Sequence, residues 1–232
     1  MPILESERLV LRPPRPADIQ AMTVWLGDFQ VSKNLAMVPH PYGEADAEEF
    51  VTGAGHRFMG PMNSRNLSCR NSAQKTGLRV SRNCSGEEAE GGGHHAFSIV
   101  RRADRLFLGG IGLRPGPDGH ELGYWLGRPF WGFGYASEAA TGVMRFAFER
   151  LGLSFVHAGW FHDNPASGQV LAKLGACHNG SRVRACLARG APVLCHEMLL
   201  TREAFLSKKA GHGAAVGGAT VNRRNDEISR YC

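Results

Sequence analysis

Residues 121–139 constrain this chain more than any other stretch. An aromatic strand pattern, Glu121-Leu122-Gly123-Tyr124-Trp125-Leu126, is followed by Trp131-Gly132-Phe133-Gly134-Tyr135-Ala136-Ser137-Glu138-Ala139, where a long amphipathic helix begins. A strand, a short Gly-x-Gly turn and a helix start together form an anion site. The glycines let the backbone approach a ligand, and the first helical N–H groups have no intrahelical partner. They sit at the positive end of the helix dipole and suit phosphate oxygens. The pattern predicts a phosphorylated ligand.

The flanking periodicities supply a sheet. Arg8 to Arg12 reads as a first strand, ended by Pro13-Pro14. From Asp18 a helical pattern puts Ile19, Met22, Trp25 and Leu26 on one face. A second helix is predicted from Asp46 to His56. Strands follow at 96–101, 107–113 and 120–126, with connections short enough for an antiparallel meander. From Ala136 the period turns helical. Ala136, Ala140, Val143, Met144, Ala147 and Leu151 share a face, and Gly152 is the stop. A strand at 154–160, a short helix from Asn164-Pro165-Ala166-Ser167 and a hairpin at 176–184 and 193–200 complete the pattern. The unit 120–160 is the one parallel crossover in a sheet that is otherwise mostly antiparallel. The fold class is therefore α/β of the mixed α+β kind, with helices flanking one sheet.

Two segments break the texture. Residues 60–95 are rich in Ser, Asn, Arg and Gly without a period, and 207–232 is equally patternless. Such compositions bury too little apolar surface to offset their ordering entropy. Both are expected to be disordered. The first is read as an insert, natural or produced by the reading frame, and the second as a basic tail. One domain, 1–206, remains.

The formal charge of +6 resides mostly in those two segments, which carry +2 and +3 and leave +1 for the rest. A charge so distributed gives no nucleic-acid face. No apolar run approaches the roughly 20 residues of a membrane span, and the N-terminus lacks a secretory layout. A cytoplasmic protein, monomer or homodimer, with six free cysteines is the expectation. No Cys-x-x-Cys pair occurs. His94-His95 near Cys84 reads as solvated, and His196-Glu197 has no second histidine at zincin spacing, so no metal is predicted.

The order of these pieces resembles the GNAT family of acetyl-CoA-dependent N-acetyltransferases, and within it the ribosomal-protein N-terminal alanine acetyltransferases. The resemblance is carried by Glu5-Ser6-Glu7-Arg8-Leu9-Val10-Leu11-Arg12, the strand 121–126, the run 131–139, Asn164-Pro165-Ala166-Ser167 and Lys173-Leu174-Gly175-Ala176. It covers about 3–59 and 96–206. It implies a central sheet splayed between the fourth and fifth of the seven predicted strands, with acetyl-CoA as co-substrate. The pyrophosphate would lie on Gly132, Phe133, Gly134, Tyr135, Ala136 and Ser137. The pantetheine arm would pair with exposed backbone at Trp125 and Leu126, held by Asn164 on the other side. Where the family often carries Gln or Arg three residues before the first glycine, this chain has Pro129, which has no N–H to donate.

The implied reaction is direct attack of an amine on the thioester in a ternary complex. Glu121 is the candidate base, directly or through water. Ser167 is the candidate contact to the leaving sulfur, and His120 and His157 are alternative bases. A backbone N–H at Trp125 or Leu126 is the candidate oxyanion donor. Each has a plainer reading as well: an exposed strand carboxylate, a helix-start serine, structural histidines. The implied acceptor is a primary amine, either a peptide N-terminal alanine or serine or a small molecule such as an antibiotic. A dinucleotide-binding oxidoreductase fits poorly, because Ser137 stands where the third glycine belongs. A module that binds acetyl-CoA without turnover is the remaining alternative.

Overall fold

The structure, a computed structural model, describes residues 1–52 and 93–213. Two short strands, β1 (Leu4–Glu5) and β2 (Leu9–Arg12), precede helices α1 (Ile19–Gly27), α2 (Phe29–Ser32) and α3 (Glu44–Thr52). The meander β3 (His95–Arg101), β4 (Phe107–Gly116) and β5 (Gly119–Leu126) leads to α4 (Tyr135–Arg145). Then come β6 (Phe155–Phe161), α5 (Pro165–Leu174), β7 (Cys177–Cys186), β8 (Ala191–Thr201) and α6 (Arg202–Gly213). The eight strands form one sheet in the order β1-β2-β3-β4-β5-β6-β8-β7. Every neighbouring pair is antiparallel except β5 and β6.

Each face of the sheet has its own cover. On one side Leu9, Leu11, Phe97, Ile99, Ile111, Leu113 and Leu122 meet Ala140, Val143 and Met144 of α4 and Ala147 of the helical turn Phe146–Arg150 that continues it. This is the helical stripe that the period predicts, and full burial of its Val and Met side chains contributes roughly 1.5–3 kcal/mol each. On the other side α1 to α3 form a lid whose Met22, Leu26, Val31, Tyr42 and Ala47 pack with Phe107 and, partly buried, Trp125. The lid is fixed to β2 by Asp18. Its carboxylate takes two hydrogen bonds from Arg12, at 2.8 and 2.7 Å, and one from Ser98 Oγ at 2.7 Å. Burial alone would raise the Asp18 pKa, but these bonds and the Arg15 N–H outweigh it and hold the carboxyl below its usual range.

Some elements add to the sequence pattern, and some expectations fall outside the described residues. Strand β1 and the single-turn helix α2 are additions. The insert expected at 60–95 falls outside the described residues except for its end, where His95 already opens β3. The helix predicted to reach His56 is described as far as Thr52. The last helix carries the chain to Gly213, into the stretch read as a patternless tail, and 214–232 lie outside the described residues. Cys186 and Cys195 are free thiols, but Cys177 is disulfide-bonded.

Candidate active site

The parallel pairing of β5 with β6 is two residues long, Glu121 with His157 and Leu122 with Ala158. Beyond it both strands continue, β5 to Leu126 and β6 to Phe161, without touching each other's edge. The sheet is therefore splayed at the expected junction. Counting by twos shows which backbone groups face the gap. Gly127 N donates to Leu108 O at 2.8 Å, so Gly127, Trp125 and Gly123 turn their main chain toward β4. Tyr124 and Leu126 turn theirs into the splay. Of the two strand residues named from the sequence, Leu126 thus offers its edge, while Trp125 spends its main chain on β4. The Trp125 indole lies over Gly110 and against Phe107.

The splay opens into a cavity of about 590 Å³. One end of it is the turn after β5. Gly132 and Gly134 have φ of +82° and +81°, the left-handed region that favours glycine. A Cβ at Gly132 would meet nothing within 4 Å, so the backbone there is open to a ligand. Gly134 caps α4 with no side-chain hydrogen bond, and the first intrahelical bond runs from Glu138 N to Gly134 O. The N–H groups of Tyr135, Ala136 and Ser137 come before it. Gly132, Gly134, Tyr135, Ala136, Ser137 and Asn164 all line the cavity. Phe133 does not. Its side chain is 61% exposed and its carbonyl is taken by Arg8.

The turn is held from outside by the connection between β1 and β2. Glu138, in the first turn of α4, accepts from Ser6 Oγ at 2.7 Å, from Arg8 N at 2.8 Å and from Arg8 Nε at 2.7 Å. Arg8 also donates to Phe133 O and lies over the Tyr135 ring. These contacts hold the Glu138 carboxyl below its ordinary pKa although burial opposes them.

Across the splay, Asn164 caps α5 and accepts from Ser167 N at 3.4 Å. Ser167 Oγ lies 2.8 Å from Tyr124 Oη, which also donates to the Ser167 carbonyl at 3.0 Å. Burial pushes the Tyr124 phenol up to about 12, so it stays a proton donor. Sequence reasoning passed over Tyr124. The alternation along β5 turns it to the face that α5 covers, and a helix some forty residues onward supplies its partner.

Glu121 is in the cavity wall, but it is not a free carboxylate. Arg114 Nη2 holds Oε2 and Arg184 Nη1 holds Oε1, both at 2.5 Å. Burial would raise its pKa, but the two guanidinium charges outweigh that and hold it below the usual carboxylate range. A group so held is a poor proton acceptor. Arg184 continues the network with two bonds to Glu197, at 2.9 and 2.8 Å. His120 and His157 do not line the cavity, and His157 Nε2 is 3.0 Å from Asp118 O. No group of three or more His, Cys, Asp or Glu side chains able to hold a metal occurs among the described residues.

Comparison with known proteins gives the family and the fold. The family model described as "Acetyltransferase (GNAT) domain" matches residues 8–176. A curated relative, the uncharacterized N-acetyltransferase YoaA of Bacillus subtilis, is 27% identical over 177 residues, covering 75% of this chain and 82% of its own. Among solved structures, a putative acetyltransferase from T. thermophilus superposes with a TM-score of 0.65 at 22% identity, over 94% of this chain and 98% of its own. A spermidine N-acetyltransferase from Vibrio cholerae, solved with CoA and spermine, gives 0.61 at 14% identity, over 87% of this chain and 99% of its own. At these identities the structural likeness shows the fold.

Proposed function

This chain belongs to the GNAT acetyltransferases, and from that premise we propose that it transfers the acetyl group of acetyl-CoA to a primary amine by direct attack in a ternary complex. The observation that carries this reading is the splay itself. It is an open strand edge at Leu126 and Tyr124 that ends in a turn of two left-handed glycines and three unpaired helix N–H groups. That edge matches the pantetheine arm, and the turn matches the pyrophosphate.

Acetyl-CoA supplies the activated acetyl group as a thioester. The residues of this chain do the rest. N–H groups of the 132–137 turn hold the phosphates. The Leu126 N–H faces the splay and suits both the pantetheine amides and the oxyanion that forms when the amine attacks. Its carbonyl is engaged by Trp131 Nε1 at 2.8 Å, which fixes the entry of the turn. Asn164 flanks the arm from α5. As the carbon–sulfur bond breaks, the Ser167 hydroxyl, oriented by Tyr124 at 2.8 Å, donates a hydrogen bond to the departing thiolate, which takes its proton from water. A thiol pKa near 8.5 makes this a small demand. Glu121 positions Arg114 and Arg184, and the acceptor gives up its ammonium proton to water. The N-terminal alanine or serine acceptor belongs to the branch resemblance, and acceptor choice varies widely on one fold.

Gly134→Val tests the turn. A β-branched residue is strained at φ of +81° and brings bulk to the phosphate path. Calorimetry with acetyl-CoA should show affinity lowered by at least about tenfold, the effect of roughly 1.4 kcal/mol of backbone strain and lost contact. Unchanged affinity would count against the turn as the phosphate site.

A further inference from the structure

The cavity floor shows an asymmetry of hydrogen-bonding capacity. On the face covered by α1 to α3, β4 presents Gly110, Gly112 and Arg114, and β5 presents Glu121, Gly123 and Trp125. A Cβ at Gly123 would meet nothing within 4 Å, so the floor between the charged end and the splay is open. At the charged end every carboxylate is already doubly engaged. Glu121 has one arginine on each oxygen, and Glu197 takes Arg184 on both oxygens with Arg182 Nε as a further donor at 2.9 Å. Arg184 uses all three nitrogens and is 10% exposed. Arg114 differs. It is 25% exposed, lines the cavity and makes one hydrogen bond among the described residues, through Nη2. The spare capacity beside the reaction path is therefore donor capacity on a guanidinium, the group whose planar fork suits a carboxylate.

We propose that Arg114 docks an anionic group of the acceptor, so that the preferred substrates are small primary amines carrying a carboxylate, amino acids being the type. This rests on the acetyltransferase reading and narrows it. Glu121, the cross-strand partner of Arg114, precedes Tyr124 by three residues, about 10 Å along an extended strand. Arg114, Tyr124 and Ser167 line the same cavity, so an amino acid anchored at Arg114 would turn its amine toward the splay. The fixed Arg–Glu–Arg chain holds the guanidinium plane without competing for the ligand, because its carboxylates have no oxygen to spare. The lid brings Asp46 and Glu49 to the same cavity from the opposite side. A second positive charge on the acceptor is therefore the competing occupant, and an uncharged peptide end is another.

The test is thiol release from acetyl-CoA by the full chain, on several amino acids each paired with its amide and its decarboxylated amine. A diamine and an amidated alanyl peptide are further arms. The proposal predicts kcat/KM about ten- to hundredfold higher for the free acids, the size of one charge-assisted hydrogen-bonded contact. Arg114→Gln should erase that preference by raising the acceptor KM while the acetyl-CoA KM stays, and Arg114→Lys should restore part of it. Equal or faster turnover of amides, decarboxylated amines, the diamine or the peptide overturns the proposal and leaves acetyl transfer standing. Thiol release with no amine of the panel, despite measured acetyl-CoA binding, overturns both. If Arg114→Gln does not fold, the unmodified chain on the paired substrates decides by itself.

Discussion

Glu121 and Tyr124 stand three positions apart on one strand, and their environments hold them in opposite protonation states. Glu121 is fixed as an anion by two arginines, and Tyr124 is kept as a donor by burial. Both residues were visible in the aromatic strand, but only one partner was. Arg114 faces Glu121 across a hairpin, so a register count could have paired them. Arg184 comes from β7, and no local pattern announces it. Hence the candidate base reads from sequence as a free carboxylate and in the structure as the centre of an ion network. The depressed pKa sets the pH behaviour. A carboxyl lowered on folding stabilises the fold fully above its ordinary value near ~4.3, and that stability is lost only as pH falls from there through the depressed value. Glu121 is therefore ionised throughout the range near neutrality. Glu121→Gln should cut kcat/KM by about tenfold or more through loosened arginines, yet leave the midpoint of the acid limb where the amine's own ammonium pKa puts it. An acid limb that vanishes in the variant would restore Glu121 as the base.

Elements with a strong period were legible. The α4 stripe, the meander and the crossover all follow from spacing. The short elements were not, because two or four residues carry no period and gain their stability from neighbours. Strand β1 exists through pairing with β2, and α2 through the Asp28 cap that accepts from Gln30 N. The clasp between the β1–β2 turn and α4 is likewise invisible locally, although both halves lie in the runs that carry the family resemblance. It answers an electrostatic problem. Glu138 places a negative charge in the first turn of a helix whose N-terminus should receive phosphate, and Arg8 neutralises it. Arg8→Gln should raise the acetyl-CoA KM about three- to tenfold with little change in kcat, as expected for one partly exposed charge pair. Glu138→Gln in the same chain should recover part of that loss. A double variant as weak as the sum of two losses would mean that the clasp acts only by packing.

For the whole molecule, the sheet and its splay follow from one rule: a single parallel crossover joins an antiparallel meander to a terminal hairpin. What the rule did not reveal is that β8 inserts between β6 and β7, and that the first three helices come together as a lid over a glycine-floored face. Those arrangements depend on long-range contacts, which no window of sequence contains. They also build the face on which the acceptor is proposed to dock, so the glycine turn and the splay were legible and that face was not. The central claim is that the splay joins acetyl-CoA on one side to an amine on the other. Its most direct measurement is thiol release from acetyl-CoA with and without amines, with the product identified by mass. The account predicts release that requires an amine and yields its N-acetyl derivative in equal amount. Binding of acetyl-CoA with no amine-dependent release would contradict it and leave a binding module in its place.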